Sequence, residues 1–168
     1  MMANDMNTSN PGQFWVRTNL VATSIFVLLM VVAVPLRDRT SVQIAVAIVS
    51  MVLFAIGTAA CLWAYISALD RSRVDELGVA NLFLLTGPTA PRRLKWMMSC
   101  ALAVQVVVSL LGASVGAAGL SGRQVNALAF GILVPMLGLG MNAMWAVRHG
   151  TFGPRVDRAV QPSNRKIG

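Results

Sequence analysis

The stretch Thr40–Leu69, TSVQIAVAIVSMVLFAIGTAACLWAYISAL, runs for 30 residues without an Asp, Glu, Lys or Arg. As a helix rising about 1.5 Å per residue it outreaches a hydrocarbon core of about 30 Å. Its residues do not alternate polar with apolar, so it does not read as a strand of a membrane barrel. A helix closes its own backbone hydrogen bonds, which lipid cannot do for it. The stretch is a membrane span, placed over residues 41–69.

Three more uncharged blocks lie around it: Thr18–Leu36 with 19 residues, Trp96–Gly122 with 27 and Gln124–Val147 with 24. About 20 such residues suffice to cross a bilayer, so spans are expected over 18–36, 96–122 and 124–147. The expected fold class is all-α, a polytopic four-transmembrane-helix bundle. Composition agrees. Of 168 residues, 56% are apolar and 12% charged, against about 25% charged in a soluble domain. The net charge of +8 would suggest nucleic acid only on a folded polar face. Here the basic residues punctuate hydrophobic blocks, and no nucleic-acid partner is expected. The leading segment MMANDMNTSNPGQFWVR has one Arg, at its end, so the first span is expected to stay uncleaved.

Charge sets the expected orientation. Arg17 lies in the arm 1–17. Five basic residues (Arg71, Arg73, Arg92, Arg93, Lys95) fall in the central loop and five (Arg148, Arg155, Arg158, Arg165, Lys166) in the tail 148–168. Opposite them stand Arg37, Arg39 and Arg123, so the bias is eleven to three. Both termini are expected in the cytoplasm, in a cytoplasmic (inner) membrane, with a flexible basic tail. The two outer connections are short, which predicts antiparallel hairpins of spans one with two and three with four.

Between spans two and three, VDELGVANLFLLTGPTAPRRLKW holds an apolar run too short to cross. Asp75 and Glu76 suit a helix N-terminus, and Gly87-Pro88 ends the helix. The spacing predicts a short interfacial helix over 75–87, lying on lipid or docked on the bundle. Leu82 and Phe83 on it, with Arg92, Arg93 and Lys95 after it, are candidates for docking anionic lipid or a partner.

No ionisable carboxylate, amine or imidazole lies inside the four blocks, so proton coupling through a buried carboxylate has no candidate. The single His149 stands at the end of span four and cannot furnish paired haem ligands. Met141 and Met144 near it read as packing. Cys61 and Cys100 form no Cys-x-x-Cys pair and are expected to be buried and inert. Asp70, Asp75 and Glu76, interleaved with Arg71 and Arg73, read as a solvated charge cluster and not a Mg²⁺ site. No catalytic residue, metal or cofactor is expected, and the chain does not read as an enzyme.

Packing signals are clearer. Gly112 and Gly116 form Gly-x-x-x-Gly in the third block, flanked by Ser109 and Gly119. Small residues at that spacing let helices approach closely, within the chain against span four or at an oligomer interface. Pro135 in FGILVPMLGLG is expected to kink span four. The amides of Gln105, Asn126 and Asn142 should face other helices.

In its layout, its Arg usage and the phrases DELGVANLFLLTGPTAPRR and RHGTFGPR, the chain resembles small four-span membrane proteins of unknown function from high-GC Gram-positive bacteria. The resemblance brings no functional residues with it. The expected function is a non-catalytic accessory, assembly or scaffold subunit of a membrane complex. Its partners would be anionic headgroups, other membrane subunits or a second copy. The alternative is a small transporter or channel that uses the broken fourth span, with polar positions at Thr23, Ser50, Thr58, Ser99, Ser109 and Asn142.

Overall fold

The computed structural model of the chain describes residues 11–72, 78–118 and 127–153. In chain order its elements are α1 (Pro11–Ala33), α2 (Thr40–Arg71), α3 (Val79–Phe83), α4 (Arg92–Ala118), a 3₁₀ segment (Ala127–Leu133) and α5 (Pro135–His149). Every described element is helical. Four stretches, Gly12–Ala33, Thr40–Arg71, Arg92–Ala118 and Ala127–His149, are long and apolar enough to cross a membrane. The chain is an all-α, four-span membrane protein with a short helix between spans two and three. Gly119 and Asn126, like Arg73, Asp75 and Glu76, lie outside the described residues.

Helices α1 and α4 begin before the uncharged blocks do. Arg17 rides on the second turn of α1 and Arg92, Arg93 and Lys95 on the first turn of α4, where long cationic stems can carry the charge out of the apolar zone. The α1–α2 connection closes its own polar groups. Gln43 Nε2 donates to the Arg37 carbonyl at 2.7 Å, and the Arg39 amide donates to Leu36 O at 3.0 Å.

Pairing only partly follows the expected hairpins. Spans three and four do lie together, α4 against the 3₁₀ segment and α5. Spans one and two touch much less. Instead α2 packs chiefly on α5 and the 3₁₀ segment, and α1 packs on α4 and α5. The reason is a glycine pair. Gly57 of α2 lies against the backbone of Met136 and Leu137, and Gly140 of α5 against the Gly57 carbonyl and Ala60. A Cβ on either would overlap backbone atoms that cannot move aside. Without a hydrophobic drive between helices in lipid, such close contact decides which helices adhere.

The fourth span is the centre of the bundle. Leu137, Gly138 and every residue from Gly140 to Ala146 are buried. Around it, large apolar residues face outward, including Ile44, Ile48 and Trp63 on α2 and Val107 and Leu111 on α4. Pro135 is the first residue of α5. Just before it the chain is wound as 3₁₀ helix for 7 residues, with the Val134 amide on Gly131 O at 3.0 Å. Proline has no amide proton, so the helical ladder changes type there.

Helix α3 spans only 5 residues and is docked on the bundle. Leu82 and Leu85 are buried with Trp145 and Met144, and Phe83 packs on the same cluster. The two apolar docking candidates of the sequence, Leu82 and Phe83, are therefore engaged within the chain. Leu85 holds a left-handed φ of 53°, a costly conformation for a bulky residue that its burial keeps in place.

Candidate functional site

Two assemblies of polar side chains stand out, one inside the bundle and one at its end. The inner one is a seam between α1, α4 and the fourth span. Gln105 of α4, fully buried, donates from Nε2 to Thr23 Oγ1 at 2.6 Å and to Asn19 Oδ1 at 3.1 Å. Thr23 in turn donates to the Asn19 carbonyl at 2.7 Å. One turn along α4, the Ser109 hydroxyl lies 2.5 Å from Gln105 O and 2.7 Å from Gly131 O, sharing its single proton between them. The Gly131 carbonyl belongs to the 3₁₀ segment and already accepts from the Val134 amide, so Ser109 adds a second donor that ties α4 to the irregular winding. Gln105 Oε1 and Asn19 Nδ2 have no partner among the described residues. A Cβ at Gly138 would sit 2.6 Å from that Oε1, so the seam needs glycine on α5.

The Gly-x-x-x-Gly face is part of this seam. Ser109, Gly112 and Gly116 are all buried. Gly112 receives the Met30 side chain of α1, close to Leu128 O of the 3₁₀ segment. At Gly112 the face is filled from inside the chain, by span one as well as span four. Cys100 departs from expectation too. Both cysteines are free, but only Cys61 is buried, while Cys100 is exposed on the outside of the bundle. Burial follows the helix face, and an apolar block has faces of both kinds.

The second assembly gathers the start of α1, the end of α2, the start of α4 and the end of α5. Arg71 reaches across to the end of α5. Its guanidinium donates to Val147 O at 2.7 Å and Gly150 O at 3.1 Å and lies 5.0 Å over the Phe152 ring. The last carbonyls of a helix lack intrahelical partners and carry partial negative charge, so Arg71 ties α2 to the end of α5. Asn142 Nδ2 donates to Phe83 O at 3.0 Å, which fastens α3 to α5. Thr151 donates from its amide to Thr89 O at 3.1 Å and from its hydroxyl to Pro88 O at 2.8 Å. The first residues of the expected flexible tail are thus docked as far as Phe152. Lys95 donates from Nζ to the Gly87 carbonyl, which holds it on the loop. Arg92 and Arg93 remain exposed.

At this same end, α1 and α4 part to leave a groove of about 560 Å³, with α5 as its floor. Val16, Leu20, Leu94 and Met97 form apolar walls, and Arg17, Arg93 and His149 line it as well. Trp145 closes the floor at 5% exposure, and its Nε1 has no partner among the described residues. Gly12 covers that nitrogen, and a Cβ there would lie 3.2 Å from it. The signal for this site was weak in the sequence, because Gly12, Arg17, Arg93, Trp145 and His149 come from three separate segments. Among the described residues there is no cluster of three or more His, Cys, Asp and Glu side chains that could hold a metal ion.

Comparison with protein-family models, curated proteins and solved structures found no match. Fold and geometry thus define the class alone: a multi-pass helical membrane protein with a polar internal seam and a basic, interlocked end.

Proposed function

We propose that the chain is a non-catalytic subunit of a larger membrane assembly, with an accessory or scaffold role. The observation that carries this reading is the use of its interior polar groups. Gln105, Thr23 and Ser109 bind one another and helix backbone, and Asn142 and Arg71 fasten neighbouring segments. They build a stiff body and leave outward surfaces for contact. Arg92 and Arg93, exposed beside Trp96, suit an acidic partner surface or anionic headgroups. We place this basic end in the cytoplasm, following the arginine bias. The resemblance to small four-span proteins of high-GC Gram-positive bacteria sits with this reading. Mild-detergent purification followed by mass measurement of the intact particle tests it. A stoichiometric complex or defined oligomer, dissociated by Arg92→Glu, is the expected result. A strictly monomeric, partner-free species overturns it.

One observation favours a second reading, a small transporter or channel. The 3₁₀ winding and Pro135 break the fourth span beside Gln105 and Asn19, which retain unpartnered polar atoms. Broken helices in transporters present their binding sites at such interruptions. Solute flux in proteoliposomes, abolished by Pro135→Ala, would establish it. Absence of flux with a panel of small ions and amines removes it.

A further inference from the structure

We propose that the groove between α1 and α4 is a binding site for one anionic phospholipid. The phosphate would lie between Arg17 and Arg93, within reach of His149 and the Trp145 N–H, and an acyl chain along Val16, Leu20, Leu94 and Met97. This inference rests on the membrane reading of the four spans and is independent of the subunit role.

Three features of the groove select this ligand. Its volume of about 560 Å³ falls among pockets that hold small molecules, about 300–1,000 Å³. Its ionisable lining is basic, Arg17, Arg93 and His149, with no acid among the described lining residues. Arginine from two different helices can grip phosphate oxygens by paired, charge-assisted hydrogen bonds. The Trp145 indole nitrogen supplies the independent sign. A buried donor without an acceptor is unusual in a folded protein, and this one stands at the groove floor beneath Gly12, where a Cβ would crowd it. The apolar walls then decide between kinds of anion. A soluble phosphate would satisfy the cations but leave Leu20, Leu94 and Met97 uncovered, whereas a diacyl lipid fills both parts. Position agrees: the groove lies where α1 and α4 begin, at headgroup level for a basic membrane-facing end.

The test is native mass spectrometry of the full-length chain in a mild detergent. It is titrated with phosphatidylglycerol, with phosphatidylcholine of the same chains, and with glycerol phosphate. One phosphatidylglycerol per chain is expected to bind at least about tenfold more tightly than phosphatidylcholine, the scale of one lost charged hydrogen bond. Glycerol phosphate should bind far more weakly. The double substitution R17Q/R93Q should weaken phosphatidylglycerol binding by about tenfold or more. Gly12→Ala, which shields the indole nitrogen, should weaken it less. Arg39→Gln, at the opposite end of the bundle, should leave it unchanged. Equal retention of the two lipids, an unaltered affinity in R17Q/R93Q, or glycerol phosphate binding as tightly as the lipid each overturns the proposal. Should the double variant fail to fold, the comparison of lipids on the unaltered chain decides alone. Since the assay uses the isolated protein, its result does not depend on whether a protein partner exists.

Discussion

Helix α2 and the fourth span share the same outward credentials, long and free of charge over the bilayer, yet they occupy opposite places. Within its most apolar stretch, 22% of α2 is buried, against 56% of the fourth span. The difference lies in the glycines and in where the small residues stand. The fourth span carries Gly131, Gly138, Gly140, Ala143 and Ala146, so neighbouring backbones reach it from several sides. The bulky Ile44, Ile48, Val52, Leu62 and Ile66 of α2 face outward, as content in lipid as against protein, and only a narrow strip with Gly57, Cys61, Ala64 and Ala68 turns inward. Hydropathy takes both helices into the membrane. Close packing of small residues decides which becomes the core.

The strongest way to break this contrast is to fill the contact between the two helices. Gly57→Val should cost more than about 3 kcal/mol or prevent folding, because the added carbons meet the Leu137 backbone and not a movable side chain. Ala59→Val, on the exposed side of the same helix, is the matched control and should fall within about 0.5 kcal/mol. Unfolding in mixed micelles measures both. If the two substitutions cost the same, close packing is not what holds α2 to α5.

Gln105→Leu tests the polar seam. It should destabilise by about 2 kcal/mol, since Asn19 Oδ1 loses its donor in a buried setting. The same unfolding assay reads it, and a neutral result would mean that packing alone holds α1 to α4. Arg71→Gln tests the lock at the basic end and should cost about 1 kcal/mol. Its effect should be local, seen as faster amide exchange at Gly150 and Thr151 while the middle of α5 stays protected. Smallest of all, Ile48→Leu on the lipid-facing side of α2 should change stability by less than about 0.5 kcal/mol. A larger loss there would mean that this surface is covered by protein.

The spans themselves were plain in the sequence because a charge is so costly in lipid that its absence over twenty or more residues carries a meaning. Pro135 was equally plain, since proline lacks the donor that every helix interior needs. Gln105 and Asn142 could be assigned inward because an amide has nowhere else to go in hydrocarbon. Other positions were hidden for physical reasons. Arg71 looked solvated because nothing local shows that the end of α5, 76 residues away, offers it two carbonyls. Gly57 stands alone in its helix, without the paired spacing that marks Gly112 and Gly116, yet it makes the tighter backbone contact. Leu82 and Phe83 were read as docking residues, because an apolar run serves the chain's own core and a partner equally well.

The sequence by itself determined that the chain is all-helical, with four stretches long and apolar enough to cross a membrane. It could do so because burial in lipid depends on the local run of side chains and on nothing distant. Only the tertiary structure decided which helix is central, which small residues touch, and that Arg17, Arg93, His149 and Trp145 line one groove. Those outcomes depend on sub-ångström fit between surfaces far apart in the chain, and no local pattern encodes that fit.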